Sequence, residues 1–225
     1  MAMARRLEAE WLDVLPASDP RAARSRRDLV RVNALMGNAG IVANALRDAA
    51  PRRIADLGAG DGRFALRVLR ALGGGGEIVL VDRGAAVNDA TLDAIRALGW
   101  EPQVARADVF DWLEHDVEPV PDAIVANLFL HHFERAPLAR MLSGIARRTS
   151  TFVACEPRRS AMALAGARLL GCVGCNDVTR HDAVVSVHAG FLDDELTALW
   201  PRDARWRIEE RARGLFSHAF VARRP

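Results

Sequence analysis

IADLGAGDGR, residues 54–63, runs an apolar, strand-like segment into three alternating glycines, Gly58, Gly60 and Gly62. A backbone that must turn sharply and let a ligand come close has no room for a Cβ, so this spacing predicts a strand, a ligand loop and then a helix. The dinucleotide fingerprint G-x-G-x-x-G would require glycine at position 63, where Arg63 stands. Asp56, two residues ahead of Gly58, gives the loop an acidic edge that repels a pyrophosphate but suits an ammonium or sulfonium group. A nicotinamide-dependent reductase is therefore disfavoured.

Downstream, apolar runs alternate with amphipathic ones: RFALRVLRALG, EIVLVD, DATLDAIRALG, PQVARAD, DAIVANLFL and TFVACEP. In the first, Phe64, Val68 and Leu72 share one helical face and Arg63, Arg67 and Arg70 another. Strand, helix, strand at this spacing predicts a parallel sheet with right-handed crossovers. The final RWRIEERARGLFSHAFVARR reads as an antiparallel hairpin turning at Arg213 and Gly214.

Residues 1–50 have a helical pattern, with a start at Asp19 and Pro20 and a stop at Pro51. They are expected to form a helical extension and lid, and residues 51–225 the main domain, with an insertion at about 158–200. That insertion should hold the helix SAMALAGARLLG, the polar stretch NDVTRHDAVVSVH and a short acidic helix, DDELTALW.

Composition sets limits on partners. The 31 basic residues are all arginine and are spread among 29 acidic ones, which is not the one-sided basic face of a nucleic-acid binder. No apolar run approaches the roughly 18 residues of a membrane span, and the opening MAMARRLEAEWLDVL has no signal-peptide core. The expectation is a cytoplasmic protein with a small-molecule partner, no nucleic acid and no membrane insertion; a homodimer is compatible with the sequence. Three cysteines, Cys155, Cys172 and Cys175, do not make a disulfide framework. Cys172 and Cys175 form C-x-x-C with His181 and His188 following, but they continue the apolar run ARLLGCVGC, where small buried thiols are common, so no metal is assigned.

Three acids stand at successive strand ends: Asp56, Asp82 and Asp108. Asp82 lies at the distance from the glycine loop where a carboxylate reaches ribose hydroxyls. Asp108 could accept from an exocyclic adenine amine. Each alone could equally cap a helix; with the glycines, the three describe a nucleoside site.

IADLGAGDG, IVLVD and RADVF together resemble the successive motifs of the class I S-adenosylmethionine-dependent methyltransferases, over roughly residues 52–157. The resemblance implies a Rossmann-like α/β fold with a seven-stranded, mostly parallel sheet and an antiparallel C-terminal hairpin. It implies S-adenosyl-L-methionine as cofactor, with Asp56, Gly58, Gly60 and Gly62 at its methionine portion. Asp82 and Arg83 would then meet the ribose, Asp108 and Val109 the adenine, and Asn127 the fourth-strand tip. Asn127 opens NLFLHHF and not the N/D-P-P-Y/F of many amino-methylating members, which disfavours DNA-adenine or glutamine-amide acceptors.

The resemblance thus implies methyl transfer to a small molecule, with a hydroxyl oxygen of an aromatic or apolar metabolite preferred. A non-catalytic nucleoside-binding module, or C- or N-methylation, are the alternatives. Loss of the hydroxyl proton calls for a base or for stabilisation of the anion. His131 and His132 follow the fourth strand at the rim where an acceptor should lie, and His132 resembles the histidine found there in quinone-type methyltransferases. In the polar stretch, His181 is a second candidate base, with Glu156 from the fifth strand to orient it and Arg180 to hold an acidic acceptor or phenolate.

Overall fold

The computed structural model describes residues 3–16, 18–84, 86–115 and 119–225. Its centre is a seven-stranded sheet of order β3-β2-β1-β4-β5-β7-β6, formed by β1 (Arg53–Leu57), β2 (Gly76–Val81), β3 (Trp100–Ala105), β4 (Ala123–Asn127), β5 (Thr151–Pro157), β6 (Arg207–Arg213) and β7 (Ser217–Arg223). The first five strands pair in parallel. β7 lies antiparallel between β5 and β6 and turns at Gly214, whose φ is +64°. The order reverses at β1, which pairs with β2 on one side and β4 on the other, and a crevice opens beside the carboxyl ends at such a reversal.

Alternate strand residues face opposite layers, as the pleat requires. Ile54, Ile78, Leu80, Val125, Val153 and Val221 meet α3 (Asn38–Leu46), α4 (Arg63–Leu72) and Ile95 of α5 (Asp89–Arg96) on one side. Leu57, Ile124, Phe152 and Phe220 meet α6 (Val109–Glu114), α7 (Arg135–Arg148), Trp200 and Trp206 on the other. Val109 therefore belongs to the core, buried on α6.

The N-terminal helices are less uniform than their periodicity predicts. In EAEWLDVL only α1 (Trp11–Val14) is α-helical. The following helical run breaks at Gly37, whose φ of +68° ends α2 (Pro20–Met36), and α3 leaves at an angle of 53°. Asp19 caps α2 by accepting from Arg21 N at 2.8 Å, with Pro20 as its first residue. Among the described residues no single helix is long and apolar enough to cross a membrane. The bent pair α2–α3 reaches that length, but α3 buries Val42, Ala43 and Leu46 against the sheet.

Two helices follow β5: α8 (Ala161–Leu169) and α9 (Asp177–Ala189). α9 contains most of the polar stretch NDVTRHDAVVSVH, with Asn176 as its cap. The acidic helix expected at DDELTALW does not form; the segment is a run of turns. Two of its amides are taken by a side chain, Glu210 accepting from Leu196 N and Thr197 N, and just ahead of it Glu195 accepts from Leu192 N. Asp193 also has a φ of +47°, outside the helical region.

Candidate functional site

A cavity of about 650 Å³ opens at the carboxyl ends of β1, β4 and β5, beneath α2, α8 and α9. Its floor is the glycine loop, tied down by Gly58 N and Ala59 N, which both donate to Val81 O. Gly58, Gly60 and Gly62 have φ of +73°, +54° and +74°. A Cβ on Gly58 would stand 2.3 Å from the Phe129 ring, so the loop can pass there only as glycine.

Asp56, Gly58, Gly60 and Asn127 line the cavity as the sequence implies. Asp56 is buried, and its Oδ2 has no hydrogen-bond partner. Burial, reinforced by the nearby negative charge of Asp82, pushes the Asp56 carboxyl up to about 8. An orphaned buried oxygen at a glycine loop is a receptor for a cation or an N–H donor. Asn127 Oδ1 accepts from Asn38 Nδ2 at 2.8 Å, and Asn38 Oδ1 accepts from Ser217 Oγ at 2.6 Å, so α3 and β7 fix the β4 tip.

The other acids act locally. Asp82 accepts from Gly60 N at 3.0 Å and from Gly84 N at 2.7 Å, which joins the glycine loop to the β2 tip. Asp108 caps α6, accepting from Phe110 N at 2.8 Å, and stands 4.0 Å from the exposed Arg83 guanidinium. Gly62, Asp82, Arg83, Asp108 and Val109 are not among the described cavity-lining residues.

At the opposite end of the cavity floor stand His131 and His132, in the 3-10 turn Leu130–His132. That turn is held by Glu156, fully buried at the end of β5, which accepts from Phe129 N and Leu130 N at 3.0 Å each. Glu156 also meets His131 Nδ1 at 2.8 Å. The expected partnership of Glu156 with His181 is therefore corrected: the carboxylate orients His131. On the far side of the same ring, Glu10 Oε1 stands 3.5 Å from Nε2, which makes no hydrogen bond. Burial alone would lower the His131 pKa, but the two carboxylates raise it to about 9. His132 is exposed at the rim, and there partial desolvation and the charge of His131 outweigh the nearby carboxylates and lower its pKa.

His181 and Arg180 are placed elsewhere. The His181 ring stacks on Trp11 with centroids 3.9 Å apart, and its Nδ1 meets Asp182 Oδ1 at 3.0 Å, a neighbour pair that a helix permits and a strand would not. Asp182, buried, accepts from Trp11 N at 2.8 Å and Leu12 N at 3.0 Å and so fastens α1 to α9. Arg180 is exposed beside Gly171. Neither His181 nor Arg180 lines the cavity, whereas Asp182 does. Cys172 is exposed and Cys175 buried.

Sequence reasoning missed Glu10, Asp13 and Ser186, which line the same end of the cavity. Glu10 is brought in by an N-terminal segment that the structure anchors through arginines: Arg5 donates to the carbonyls of Ala189, His131 and Phe133, and Arg159 to those of Met3 and Gly190. Nothing local in the text marks these contacts. The remaining walls are largely apolar, with Leu29, Val30 and Met36 from α2, Ala167 from α8, Val187 from α9 and Phe216.

Residues 54–151 match the family model described as a methyltransferase domain. No curated protein sequence matches the chain. Among solved structures, the chain resembles an O-methyltransferase family protein from Burkholderia thailandensis, at 20% identity and TM-score 0.59, over 92% of this chain and 61% of that one. It also resembles the N,N-8-amino-8-demethyl-D-riboflavin dimethyltransferase of Streptomyces davawensis, at 20% identity and TM-score 0.58, over 96% and 62%. The human N-acetylserotonin methyltransferase, solved with S-adenosylmethionine, aligns at 15% identity and TM-score 0.51, over 94% and 61%. The chain thus spans about three fifths of the length of these structures. Residues 54–151 thus match a methyltransferase domain, and the strand order with the glycine loop at the sheet's reversal gives the chain the Rossmann-like fold of these structures.

Proposed function

We propose that the chain is an enzyme that transfers a methyl group from S-adenosyl-L-methionine to a small, largely apolar acceptor, at a hydroxyl oxygen. The observation that carries this reading is the continuity of one cavity from the glycine loop to His132. The residues at the loop end fit the donor: the unpartnered Asp56 Oδ2 can take an ammonium, and Gly58 and Gly60 leave the backbone open to close approach. When bound, the cofactor supplies a methyl group on a positively charged sulfur. Asp82, between the loop and the β2 tip, is the candidate for the ribose, and Asp108 for the adenine.

The chain's own work is then to hold the acceptor in line, which supplies much of the acceleration in such displacements. The apolar faces of α2, α8 and α9 exclude water from it, and the N-terminal segment and residues 158–200 form its lid. His132, facing the cavity beside Glu10 and His131, is the side chain that meets the acceptor oxygen and manages its proton. Oxygen is the preferred acceptor atom by analogy with the similar O-methyltransferase family protein of Burkholderia thailandensis, and the similar riboflavin-type dimethyltransferase keeps nitrogen as the alternative.

Calorimetry with S-adenosylhomocysteine, together with radiolabelled methyl transfer to a panel of phenols, carboxylic acids and amines, tests the reading. His132→Gln is expected to lower transfer about a hundredfold or more while leaving S-adenosylhomocysteine affinity unchanged. Unchanged transfer in that variant, or no S-adenosylhomocysteine binding to the unaltered protein, rejects it.

A further inference from the structure

A buried imidazole whose Nδ1 meets a carboxylate and whose Nε2 makes no hydrogen bond has the arrangement of a metal-ligating histidine. His131 has that arrangement. It is 3% exposed, its Nδ1 lies 2.8 Å from Glu156 Oε2, and its Nε2 has no hydrogen-bond partner. A carboxylate behind the ring holds the Nδ1 proton, so an ion that displaces the Nε2 proton would meet a lone pair facing forward, and this pairing recurs behind histidines that bind metals.

The Nε2 atom does not face an empty wall. Glu10 Oε1 lies 3.5 Å from it, and one ligand atom each from Glu10, His131 and His132 lies within 4.8 Å of the others. Three ligands at about 2.0–2.2 Å around one tetrahedral ion stand somewhat over 3 Å apart, so small rotations of Glu10 and His132 suffice to close on it. All three residues line the cavity.

We propose that Glu10, His131 and His132 form a binding site for a divalent transition-metal ion, with zinc as the ion the set suits best, at the acceptor end of the cavity. Two imidazoles and one carboxylate are ligands of intermediate softness, which favour zinc and its first-row neighbours over magnesium or calcium. Three protein ligands leave a further coordination position open towards the cavity, the pattern of sites that act on a bound molecule and not of sites that only stiffen a fold. An acceptor bearing a hydroxyl or carbonyl oxygen is the ligand class that would complete the shell, and His132 would then act on that oxygen through the ion it holds and not as a free base.

Glu10 reaches this site from the N-terminal segment, whereas both histidines follow β4. The ion would therefore also join the lid to the sheet. Glu10 is held there by Ser186, which donates to its Oε1, so the carboxylate is positioned before any ion arrives.

The proposal rests on the acceptor-end assignment made above, and its test runs without any methyl donor. The full chain, stripped with a chelator, is titrated with Co²⁺, and the visible ligand-field bands are recorded; Zn²⁺ is then followed by calorimetry. One ion per chain is expected, with intense bands of low coordination number that zinc abolishes. Glu10→Gln should weaken Co²⁺ at least tenfold, and Glu156→Gln, which removes the carboxylate behind His131, about 10–100-fold. His132→Gln, altered at the cavity edge, serves if either glutamate variant does not fold, and is expected to lose binding comparably. Cys172→Ser should leave the titration unchanged.

No ion bound by the unaltered chain overturns the proposal. So does binding that survives Glu10→Gln and His132→Gln, or that disappears with Cys172→Ser. S-adenosylhomocysteine calorimetry on the same samples separates the two readings. Homocysteine-nucleoside binding without cobalt binding defeats only the metal site, and cobalt binding without it defeats only the transferase.

Discussion

Asp56 is a residue whose chemistry departs far from its unfolded state. Its carboxyl is pushed up to about 8 by burial and by Asp82, well above the usual ~3.9. The folded chain therefore holds a proton that the unfolded chain has already lost, and the stability tied to that proton is present at low pH and lost as pH rises through the folded value. Asp56→Asn, neutral throughout, is expected to raise Tm more above pH 8 than at about pH 5, measured by calorimetric scans in matched buffers. Equal shifts at the two pH values would contradict the burial argument. The same substitution should weaken S-adenosylhomocysteine about tenfold or more, as expected when a charged hydrogen-bond acceptor is lost. A stability gain with a binding loss is the signature of a carboxylate kept for its ligand and not for the fold.

Among the α-helices of the described residues, α1 is the shortest, and it depends on others for its position. It is four residues long, contains no buried residue, and takes its position from Asp182 on α9, which accepts from Trp11 N and Leu12 N, and from the stacking of Trp11 on His181. A helix of this length is not stable by itself. Asp182→Ala is expected to free α1 and speed amide exchange over residues 11–15, leaving β1, β4 and β5 protected; hydrogen–deuterium exchange with mass spectrometry reads this directly. Unchanged exchange in α1 would show that the stack alone holds it. The example also marks what was legible in the sequence. Periodicity and turn chemistry act over a few residues, so the glycine loop, the parallel strands and the closing hairpin could be read from IADLGAGDGR onward. Gly37 looked like part of one helix because a single left-handed residue leaves the apolar period on both sides intact. His181 looked functional by its position after β5, but which face of α9 meets the cavity is decided by packing against α1 and α2. Glu10 carried no mark at all, since its role depends on arginine contacts to carbonyls far along the chain.

At the scale of the molecule, the terminal hairpin is part of the main core. Phe220 of β7 is fully buried, with its ring centroid 6.0 Å from Phe152 of β5 and 5.2 Å from Trp200. Phe220→Ala is expected to cost about 3–5 kcal/mol. In urea the midpoint should fall with the slope unchanged, the mark of one cooperative unit. A separate early transition for the hairpin would instead divide the molecule. The placement of β7 between β5 and β6 also constrains the order of assembly. β6 is synthesised before β7 yet has no other neighbour in the sheet, so until β7 arrives it is an unpaired strand and β5 an open edge. On the ribosome the half-built sheet would thus present a sticky margin until its last strand emerges, and folding of that side is set by a late, long-range closure, with chaperone capture favoured in the interval.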